Sequence, residues 1–158
     1  MSQFNFQAEA FADGEMIPVQ LTCDGKNVSP RLKWQGVPAS AKSLALIMED
    51  PDSPMGVFVH WSLYNIEPTL TALPEALEKL THLPGVGTQG LNDFDAVGYD
   101  GPCPSCGSSH HYTFDLYALD LPPQLPAALP GADLKKAIQG HIIASAHYTG
   151  EYARCGEA

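Results

Sequence analysis

Apolar and polar residues alternate in several short stretches of the chain, and this pattern predicts β-strands. Residues 4–8 and 17–21 carry apolar side chains at every second position, and the Asp13-Gly14 turn lies between them. Leu32 and Trp34 indicate another short strand. Because successive side chains of a strand point to opposite faces, each of these strands is expected to bury one face and expose the other.

Three longer stretches predict the main strands of the fold. Residues 43–48 (SLALIM) are apolar throughout, so this strand is expected to be buried on both faces. Residues 58–66 (FVHWSLYNI) are rich in aromatic and β-branched residues, and simple alternation places His60 on one face with Phe58, Ser62 and Tyr64. Residues 111–119 form a third strand, whose apolar face is expected to begin with Tyr112.

The remaining segments predict two short helices, a closing strand and one long loop. Residues 73–80 and 132–139 have helical patterns, and Gly140 ends the second helix. Residues 141–148 are predicted as the closing strand, although their alanines leave a helix open as an alternative. Residues 83–109 show no periodicity and form a loop of more than about 20 residues, a length typical of functional or disordered segments.

The composition agrees with a chain of short strands and many turns. The 158 residues, 44% of them hydrophobic, suit one compact domain spanning residues 1–158. Fourteen prolines and fourteen glycines are spread along the chain and would interrupt long helices repeatedly. We therefore expect a mainly β fold.

The net charge of -10 argues against nucleic acid and anionic membrane surfaces as partners. A local cluster of donors can still bind one small anion, because salt screens charges beyond about 8 Å. The N-terminus has neither the basic start nor the apolar run of a signal peptide, and no stretch is long and apolar enough to suggest a membrane span. A cytoplasmic protein is therefore expected. Its four cysteines would then be mostly reduced, although two bridges could form in an oxidising compartment.

Two segments carry candidate binding chemistry. Asp50 and Asp52 lie in the rigid turn DPDSP directly after the buried strand, and His60 follows on the next strand. The second segment runs from Gly98 to Tyr112, where the long loop enters a strand. Its glycines allow backbone amides to approach a ligand, while His110 and Tyr112 can donate hydrogen bonds to an oxyanion.

The same residues leave three other functions open. Cys103, Cys106 and His110 are ligand types that zinc accepts, and a Cys-x-x-Cys pair is also a redox motif. A small hydrolase could use Cys103 or Asp50 with His60, although such a site is recognised by geometry rather than by sequence. The common nucleotide, serine hydrolase and zinc protease motifs are absent from the sequence.

Four ordered motifs carry a family resemblance over nearly the whole chain. They are NVSPRLKW, DPDSPMGVFVHW, GYDGPCPSCGSSHHYTFDLYALD and GHIIASAHYTGEYAR. Together they resemble the phosphatidylethanolamine-binding family (PEBP), in its bacterial Raf kinase inhibitor-like branch. The resemblance implies a β-sandwich of two antiparallel sheets with a few short helices, and a small pocket for phosphate or phosphoryl groups.

The resemblance also implies site residues and partners. The family's pocket positions correspond to Asp50, Asp52, His60, Gly101, Pro102, His110 and Tyr112. The protein is expected to bind a small anionic or phosphorylated ligand, or a phosphoprotein or kinase, as a binding or regulatory module. We expect neither an enzyme nor a cofactor or metal, and bacterial relatives suggest a homodimer.

Two positions depart from the family pattern. The family usually has arginine at the position of His111, so a guanidinium is lost here, although the strand parity of His111 differs from that of His110. Cys106 stands where proline or a small residue is more usual, which leaves a local disulfide or thiol function open.

Overall fold

The computed structural model describes residues 3–154, which form two antiparallel sheets. The smaller sheet has the strand order β1-β2-β5 and the larger one β6-β7-β4-β3-β8-β9. The strands are β1 (Asn5–Ala8), β2 (Leu32–Gln35), β3 (Ser43–Asp50), β4 (Phe58–Ile66), β5 (Ala72–Leu73), β6 (His82–Leu83), β7 (Gly87–Gln89), β8 (Ser109–Leu119) and β9 (Ile142–Ala153). A short 3-10 helix covers Val19–Leu21, and one α-helix, α1, covers Gly131–Ile138.

The larger sheet is covered on both faces, and this explains the apolar run in β3. One face packs against the small sheet in a core that includes Leu46, Trp61 and Phe114. The other face carries a second core, in which Ile47 of β3 packs with Leu134 of α1. A strand buried on both faces requires apolar side chains at nearly every position, as the sequence of β3 predicted.

Most of the strands follow the sequence prediction. The segments 43–48, 58–66 and 111–119 lie in β3, β4 and β8, and residues 141–148 fall largely in strand β9 rather than in a helix. The apolar face predicted for β8 is confirmed, because Tyr112, Phe114, Leu116 and Ala118 are all fully or almost fully buried. The mainly β fold of two antiparallel sheets is therefore confirmed.

The strand predicted over residues 17–21 is wrong. Val19–Leu21 form a 3-10 helix that starts after Pro18. Proline has no N–H to donate to a neighbouring strand and its ring fixes φ. The side chains do not alternate as a strand would require either, because Ile17 and Leu21 are buried while Val19 is 53% exposed.

The helix predicted over residues 73–80 is also wrong. Ala76 has a φ of 62°, in the left-handed region, which a right-handed helix excludes. The backbone N–H groups of Ala76 and Leu77 donate to the carbonyl and hydroxyl oxygens of Ser29, at 2.9 and 3.0 Å. These tertiary hydrogen bonds replace the local ones that a helix would make.

The predicted loop over residues 83–109 is shorter than expected. Strand β7, Gly87–Gln89, lies within it and pairs with β4 and β6. A Cβ atom at Gly87 would come within 2.6 Å of the Tyr64 carbonyl oxygen, so glycine permits the close approach of these two strands. The irregular segment that remains, residues 90–108, leads to the candidate site.

A β-bulge at His60 changes the face on which this side chain lies. Met48 pairs with Trp61 and the next residue of β3, Glu49, pairs with Val59, so His60 is the additional residue of β4. Val59 consequently lies in the core beneath α1 and Trp61 in the core between the sheets. The prediction that His60 shares a face with Ser62 and Tyr64 is therefore wrong, because simple alternation does not hold across a bulge, whereas Phe58 does lie beside His60 as predicted.

Candidate functional site

The end of β3 meets the beginnings of β4 and β8 around a small cavity. Because these strands are antiparallel neighbours, Asp50, Phe58 and His110 come together although they are distant in sequence. The cavity has a volume of about 140 Å³. Its lining comprises Asp50, Ser53, Pro54, Phe58, His60, Phe94, Cys103, Pro104, Ser105, His110 and Tyr112. Pockets for drug-sized ligands have volumes of about 300–1,000 Å³, so this one suits a group of a few atoms.

Asp50 holds His110 in a fixed orientation. Asp50 is only 4% exposed, and its Oδ2 lies 2.6 Å from His110 Nδ1. The other oxygen, Oδ1, accepts the backbone N–H of Asp52 at 2.8 Å. A carboxylate can only accept, so Nδ1 of His110 carries a proton and the ring presents Nε2 as its second polar atom.

His60 is buried in the opposite wall, and its protonation state follows from its surroundings. Its Nδ1 donates to the backbone carbonyl oxygen of Asp100 at 2.7 Å, since that oxygen can only accept. The rings of Phe58 and Phe94 lie 5.1 and 5.6 Å from the imidazole, centroid to centroid. Burial lowers the pKa of His60 below its usual 6.5, although Asp100 and Asp50 oppose this effect. His60 is thus a neutral imidazole at pH 7, with Nε2 as a hydrogen-bond acceptor.

Tyr112 contributes a buried hydroxyl without a partner. Tyr112 has no exposed surface, and its hydroxyl makes no hydrogen bond with the described residues. Its ring lies edge-on to His60 at 5.4 Å and stacks with His110 at 6.4 Å. Burial and the nearby Asp50 charge raise the pKa of Tyr112 above its usual value, although the backbone N–H of Cys103, which lies too far off line for a regular hydrogen bond, opposes this effect; the hydroxyl stays protonated and can donate.

Asp52 lies outside the cavity and binds His111. Its Oδ2 accepts both the backbone N–H and the Nδ1–H of His111, at 2.7 and 2.8 Å. These hydrogen bonds lower the pKa of Asp52. The Nε2 of His111 is 3.4 Å from Glu151 Oε2, and its side chain is 62% exposed. Asp52 and His111, the position where the family usually has arginine, therefore form a surface pair beside the pocket.

Gly101 and Pro102 support the wall that holds His60, rather than lining the cavity. The N–H of Gly101 donates to Asn27 Oδ1 at 2.8 Å, and the Pro102 carbonyl accepts the N–H of Cys23 at 3.1 Å. A Cβ at position 101 would lie 2.0 Å from the Leu21 carbonyl oxygen, so only glycine allows this approach. Gly101 lines a second cavity of about 210 Å³, which shares Phe94 and Cys103 with the first.

Cys103 forms a disulfide with Cys23, which corrects several expectations from the sequence. The sequence separation of the two cysteines is 80, and no cysteine among residues 3–154 is a free thiol. From the sequence, the cysteines are expected to be mostly reduced. Cys103 is also a candidate zinc ligand and a candidate nucleophile. A cysteine in a disulfide has no thiolate for either role. The hydrolase alternative also paired Asp50 with His60, whereas the carboxylate of Asp50 binds His110.

Sequence reasoning missed the residues that fix the long loop. Asn92 accepts backbone N–H groups of Phe94 and Ala96 and donates to Asp100 Oδ2 at 2.8 Å. The other oxygen of Asp100, Oδ1, accepts a hydrogen bond from Lys79 Nζ at 3.1 Å. These hydrogen bonds hold the Asp100 carbonyl oxygen where it accepts the Nδ1–H of His60. They also place the Phe94 ring in the lining of the cavity. Asn and Asp in an irregular segment commonly bond nearby backbone, but their distant partners could not be inferred from sequence.

Two further findings concern metals and membranes. Within the described part of the chain, no group of three or more His, Cys, Asp or Glu side chains could hold a metal ion. No helix among residues 3–154 has the length and apolar character needed to cross a bilayer.

Comparison with protein families gives a match over most of the chain. The family model of the phosphatidylethanolamine-binding protein matches residues 7–153. A UPF0098 protein of Methanothermobacter thermautotrophicus is 45% identical over 150 residues, which cover 95% of this chain and 99% of that protein. A UPF0098 protein of Aquifex aeolicus is 42% identical over 149 residues, covering 93% of this chain and 86% of that one.

Solved structures agree in both fold and sequence. The PEBP homologue CT736 of Chlamydia trachomatis has a TM-score of 0.86 and 36% identity, covering 96% of this chain and 98% of that one. YbcL of Escherichia coli, described as a member of the mammalian PEBP family, has a TM-score of 0.88 and 31% identity, with 98% and 100% of the two chains covered. The family model and these relatives together show that the chain belongs to the phosphatidylethanolamine-binding protein family.

Proposed function

We propose that the chain binds a phosphate or phosphoryl group in the cavity between His60 and His110, and acts as a binding or regulatory module. The observation that carries this proposal is the unpartnered, buried Tyr112 hydroxyl beside two imidazoles with fixed Nδ1–H groups. A buried polar group without a partner costs about 1–3 kcal/mol. Such a cost is understandable where a ligand supplies the missing hydrogen bond.

The set of donors and acceptors favours a ligand that carries a proton. Among residues 3–154, no lysine or arginine lines the cavity, and the carboxylate of Asp50 lies in its wall. Neutral His60 offers an acceptor at Nε2, the Tyr112 hydroxyl offers a donor, and His110, held by Asp50 through Nδ1, offers its Nε2. A phosphate monoanion suits this arrangement, because its P–OH can donate to His60 while its other oxygens accept. Sulfate, which has a similar shape and no proton at neutral pH, should bind more weakly.

The pH dependence of binding follows from the same protonation states. A phosphate ester loses its second proton with a pKa of about 6, and its dianion has no P–OH for His60. A bound anion also favours protonated imidazole. Both effects act in one direction, so affinity for the phosphoryl ligand should fall as the pH rises from about 6 to 8.

A hydrolytic function has less support. Cys103 is held in a disulfide, and both oxygens of Asp50 are engaged, one by His110 and one by the backbone N–H of Asp52. Neither side chain is therefore a ready nucleophile. We infer that the protein sequesters its ligand, whether a small phosphorylated molecule or a phosphorylated side chain of a partner protein such as a kinase. Turnover on a panel of carboxylic and phosphate esters, abolished by Asp50→Ala, would contradict this inference.

The disulfide also bears on where the protein acts. We expected a cytoplasmic protein, but disulfides persist mainly in oxidising compartments and in the intracellular proteins of hyperthermophiles. We therefore propose that the protein works where the Cys23–Cys103 bond stays oxidised. Thiol alkylation of rapidly quenched cells, followed by mass analysis of the peptides, would reveal free Cys23 and Cys103 if this is wrong. The homodimer expected from bacterial relatives is a proposal that sedimentation can test.

Calorimetric titration with inorganic phosphate and phosphoethanolamine tests the binding proposal. His60→Ala and His110→Ala should each weaken binding by about tenfold or more, since each removes a hydrogen bond to a charged group. His147→Ala is a matched control, because His147 also pairs with an aspartate between β8 and β9, at 2.7 Å from Asp115. Equal affinities of the wild type and both site variants would overturn the proposal.

A further inference from the structure

The Cys23–Cys103 disulfide lies where two cavities meet. Cys103 lines the candidate phosphate cavity, and both cysteines line the second cavity of about 210 Å³. Pro104 and Ser105, the next two residues, also line the phosphate cavity. A change at the disulfide therefore acts directly on one wall of the proposed binding site.

Hydrogen bonds hold the chain on either side of this wall. Before Cys103, the Tyr99 hydroxyl donates to the Leu21 carbonyl oxygen at 2.7 Å, and Gly101 is bound to Asn27. After Ser105, the N–H of Gly107 donates to the Arg154 carbonyl oxygen at 3.3 Å. Between these anchors, the Cys23–Cys103 disulfide links Cys103 covalently to the segment that follows the 3-10 helix.

The disulfide is accessible and has a group that favours its reduction. Cys103 is exposed and Cys23 is partly exposed, so a thiol from solution can reach them. The Arg154 guanidinium lies beside the pair, with Nη1 3.7 Å from Cys103 Sγ and 3.5 Å from the Pro104 carbonyl oxygen. A positive charge stabilises a leaving thiolate, and better leaving groups accelerate thiol–disulfide exchange.

We propose that the Cys23–Cys103 disulfide is a redox-controlled site, whose reduction by a dithiol loosens residues 103–105 and weakens phosphate binding. A thiolate of the dithiol attacks Cys23 Sγ, the Cys23–Cys103 bond breaks, and Cys103 leaves as a thiolate beside Arg154. The second thiol of the reductant then displaces Cys23. Two electrons and two protons pass to the protein, which gains two thiols, and the dithiol becomes a disulfide.

A cost of ordering weakens the binding of the anion after reduction. The loosened wall must be ordered again when phosphate binds, and fixing one residue costs about a fivefold to thirtyfold loss of affinity. This inference rests on the proposed function, because it describes how the same phosphate site is controlled.

The test compares inorganic phosphate binding before reduction, after dithiothreitol treatment and after reoxidation. The reduced protein should bind phosphate about fivefold to thirtyfold more weakly, and reoxidation should restore the affinity. Cys23→Ser should show the weaker binding without reductant. The double variant Cys23→Ser/Cys103→Ser is the control: because Cys106 is also disulfide-bonded, only the part of the wild-type response that the double variant lacks belongs to the Cys23–Cys103 bond. Equal affinities of the oxidised and reduced wild type would overturn the proposal.

A second measurement separates this inference from the proposed function. Hydrogen exchange of the backbone N–H groups of residues 103–108 should become faster on reduction, and Arg154→Gln should slow reduction by dithiothreitol. If the oxidised protein binds no phosphate, the proposed function fails. If, in addition, hydrogen exchange of these N–H groups is equally fast before and after reduction, the redox control of this wall fails as well. If phosphate binds equally in both states, the redox control fails while the proposed function stands.

Discussion

Tyr112 is the residue whose environment most clearly distinguishes a binding site from a structural core. A buried tyrosine usually finds a partner for its hydroxyl, yet this one has none among the described residues. Packing alone would be served as well by phenylalanine, which has the same ring. The hydroxyl is therefore expected to reduce the stability of the unliganded protein and to contribute to binding.

Replacing this hydroxyl should move stability and binding in opposite directions. Tyr112→Phe should raise the free energy of unfolding by about 1 kcal/mol, because it removes a buried unsatisfied group. The same change should weaken phosphate binding by about tenfold. Denaturant unfolding and calorimetry measure the two effects. A variant that loses stability and keeps its affinity would show that the hydroxyl is structural.

The lowered pKa of His60 makes a second prediction at the scale of single residues. The unfolded chain takes up a proton on His60 as the pH falls through about 6.5, whereas the folded protein does so only at lower pH. The contribution of His60 to the free energy of unfolding is therefore fully present above about pH 7, and it is lost as the pH falls below 6.5.

His60→Phe keeps the aromatic packing and removes this titration. Between pH 8 and 5, its free energy of unfolding should fall less steeply than that of the wild type, as measured by denaturant titration at each pH. His147→Phe, on the exposed face of β9, serves as the control for losing any histidine. Identical slopes for wild type and His60→Phe would mean that His60 is not held neutral by burial.

At the scale of elements, the sequence predicts most of the strands, but it does not predict where the chain departs from a regular strand or helix. β3, β4 and β8 were predictable because each has a distinct hydrophobic pattern over many residues. The bulge at His60, by contrast, follows from how β4 pairs with β3, and pairing register is a property of two segments at once. The short helix after Pro18 and the bonds from residues 76 and 77 to Ser29 depend on distant partners in the same way.

The candidate site likewise has features that the sequence predicts and features that only the folded structure shows. The types and approximate grouping of Asp50, His60, His110 and Tyr112 could be predicted, since they stand at strand ends in ordered motifs. Their pairing could not, because Asp50 binds His110 rather than His60 and Asp52 binds a surface histidine. Those outcomes depend on side-chain directions that the bulge and the loop fix only in three dimensions.

The close contact of Gly101 with the 3-10 segment tests how the loop supports His60. Gly101→Ala would place a Cβ 2.0 Å from the Leu21 carbonyl oxygen and 2.9 Å from Asn27 Oδ1. The loop must move, so we expect a loss of about 2 kcal/mol or more in unfolding free energy, and weaker phosphate binding.

Gly107 in the same loop provides the control for this variant. It has a φ of 84° and open space around it, so Gly107→Ala tests backbone strain without the clash. Its cost should be about 1–2 kcal/mol, with phosphate affinity retained. Retained affinity in Gly101→Ala would show that the Asp100–His60 bond does not depend on this contact.

At the scale of the whole molecule, the disulfide joins two segments that are far apart in sequence. Cross-linking residues separated by 80 positions restricts the unfolded chain, so Cys23→Ser/Cys103→Ser should lower the free energy of unfolding by about 2–4 kcal/mol. Denaturant unfolding of the variant and of the oxidised wild type measures this difference. A difference below about 0.5 kcal/mol would mean that the bond adds nothing beyond the hydrogen bonds around it.

The overall charge of the molecule explains why the local arrangement of the site matters. A chain with a net charge of -10 repels anions in general, and no lysine or arginine within the described part of the chain lines the cavity. Binding of a phosphoryl group must therefore rely on the Tyr112 hydroxyl, on the Nε2 atoms of His60 and His110, and on the proton of the ligand itself. This requirement gives the account its most specific consequence, the preference for a protonated phosphate over sulfate.

Nitrogen-15 NMR of the imidazole rings during phosphate titration tests this central claim most directly. The account predicts that His60 in the free protein is neutral at pH 7 with its proton on Nδ1. It further predicts that phosphate shifts the Nε2 resonances of His60 and His110 in a saturable way, and that sulfate at the same concentration does so only weakly. Imidazole resonances that do not respond to phosphate, or that respond equally to sulfate, would contradict the account.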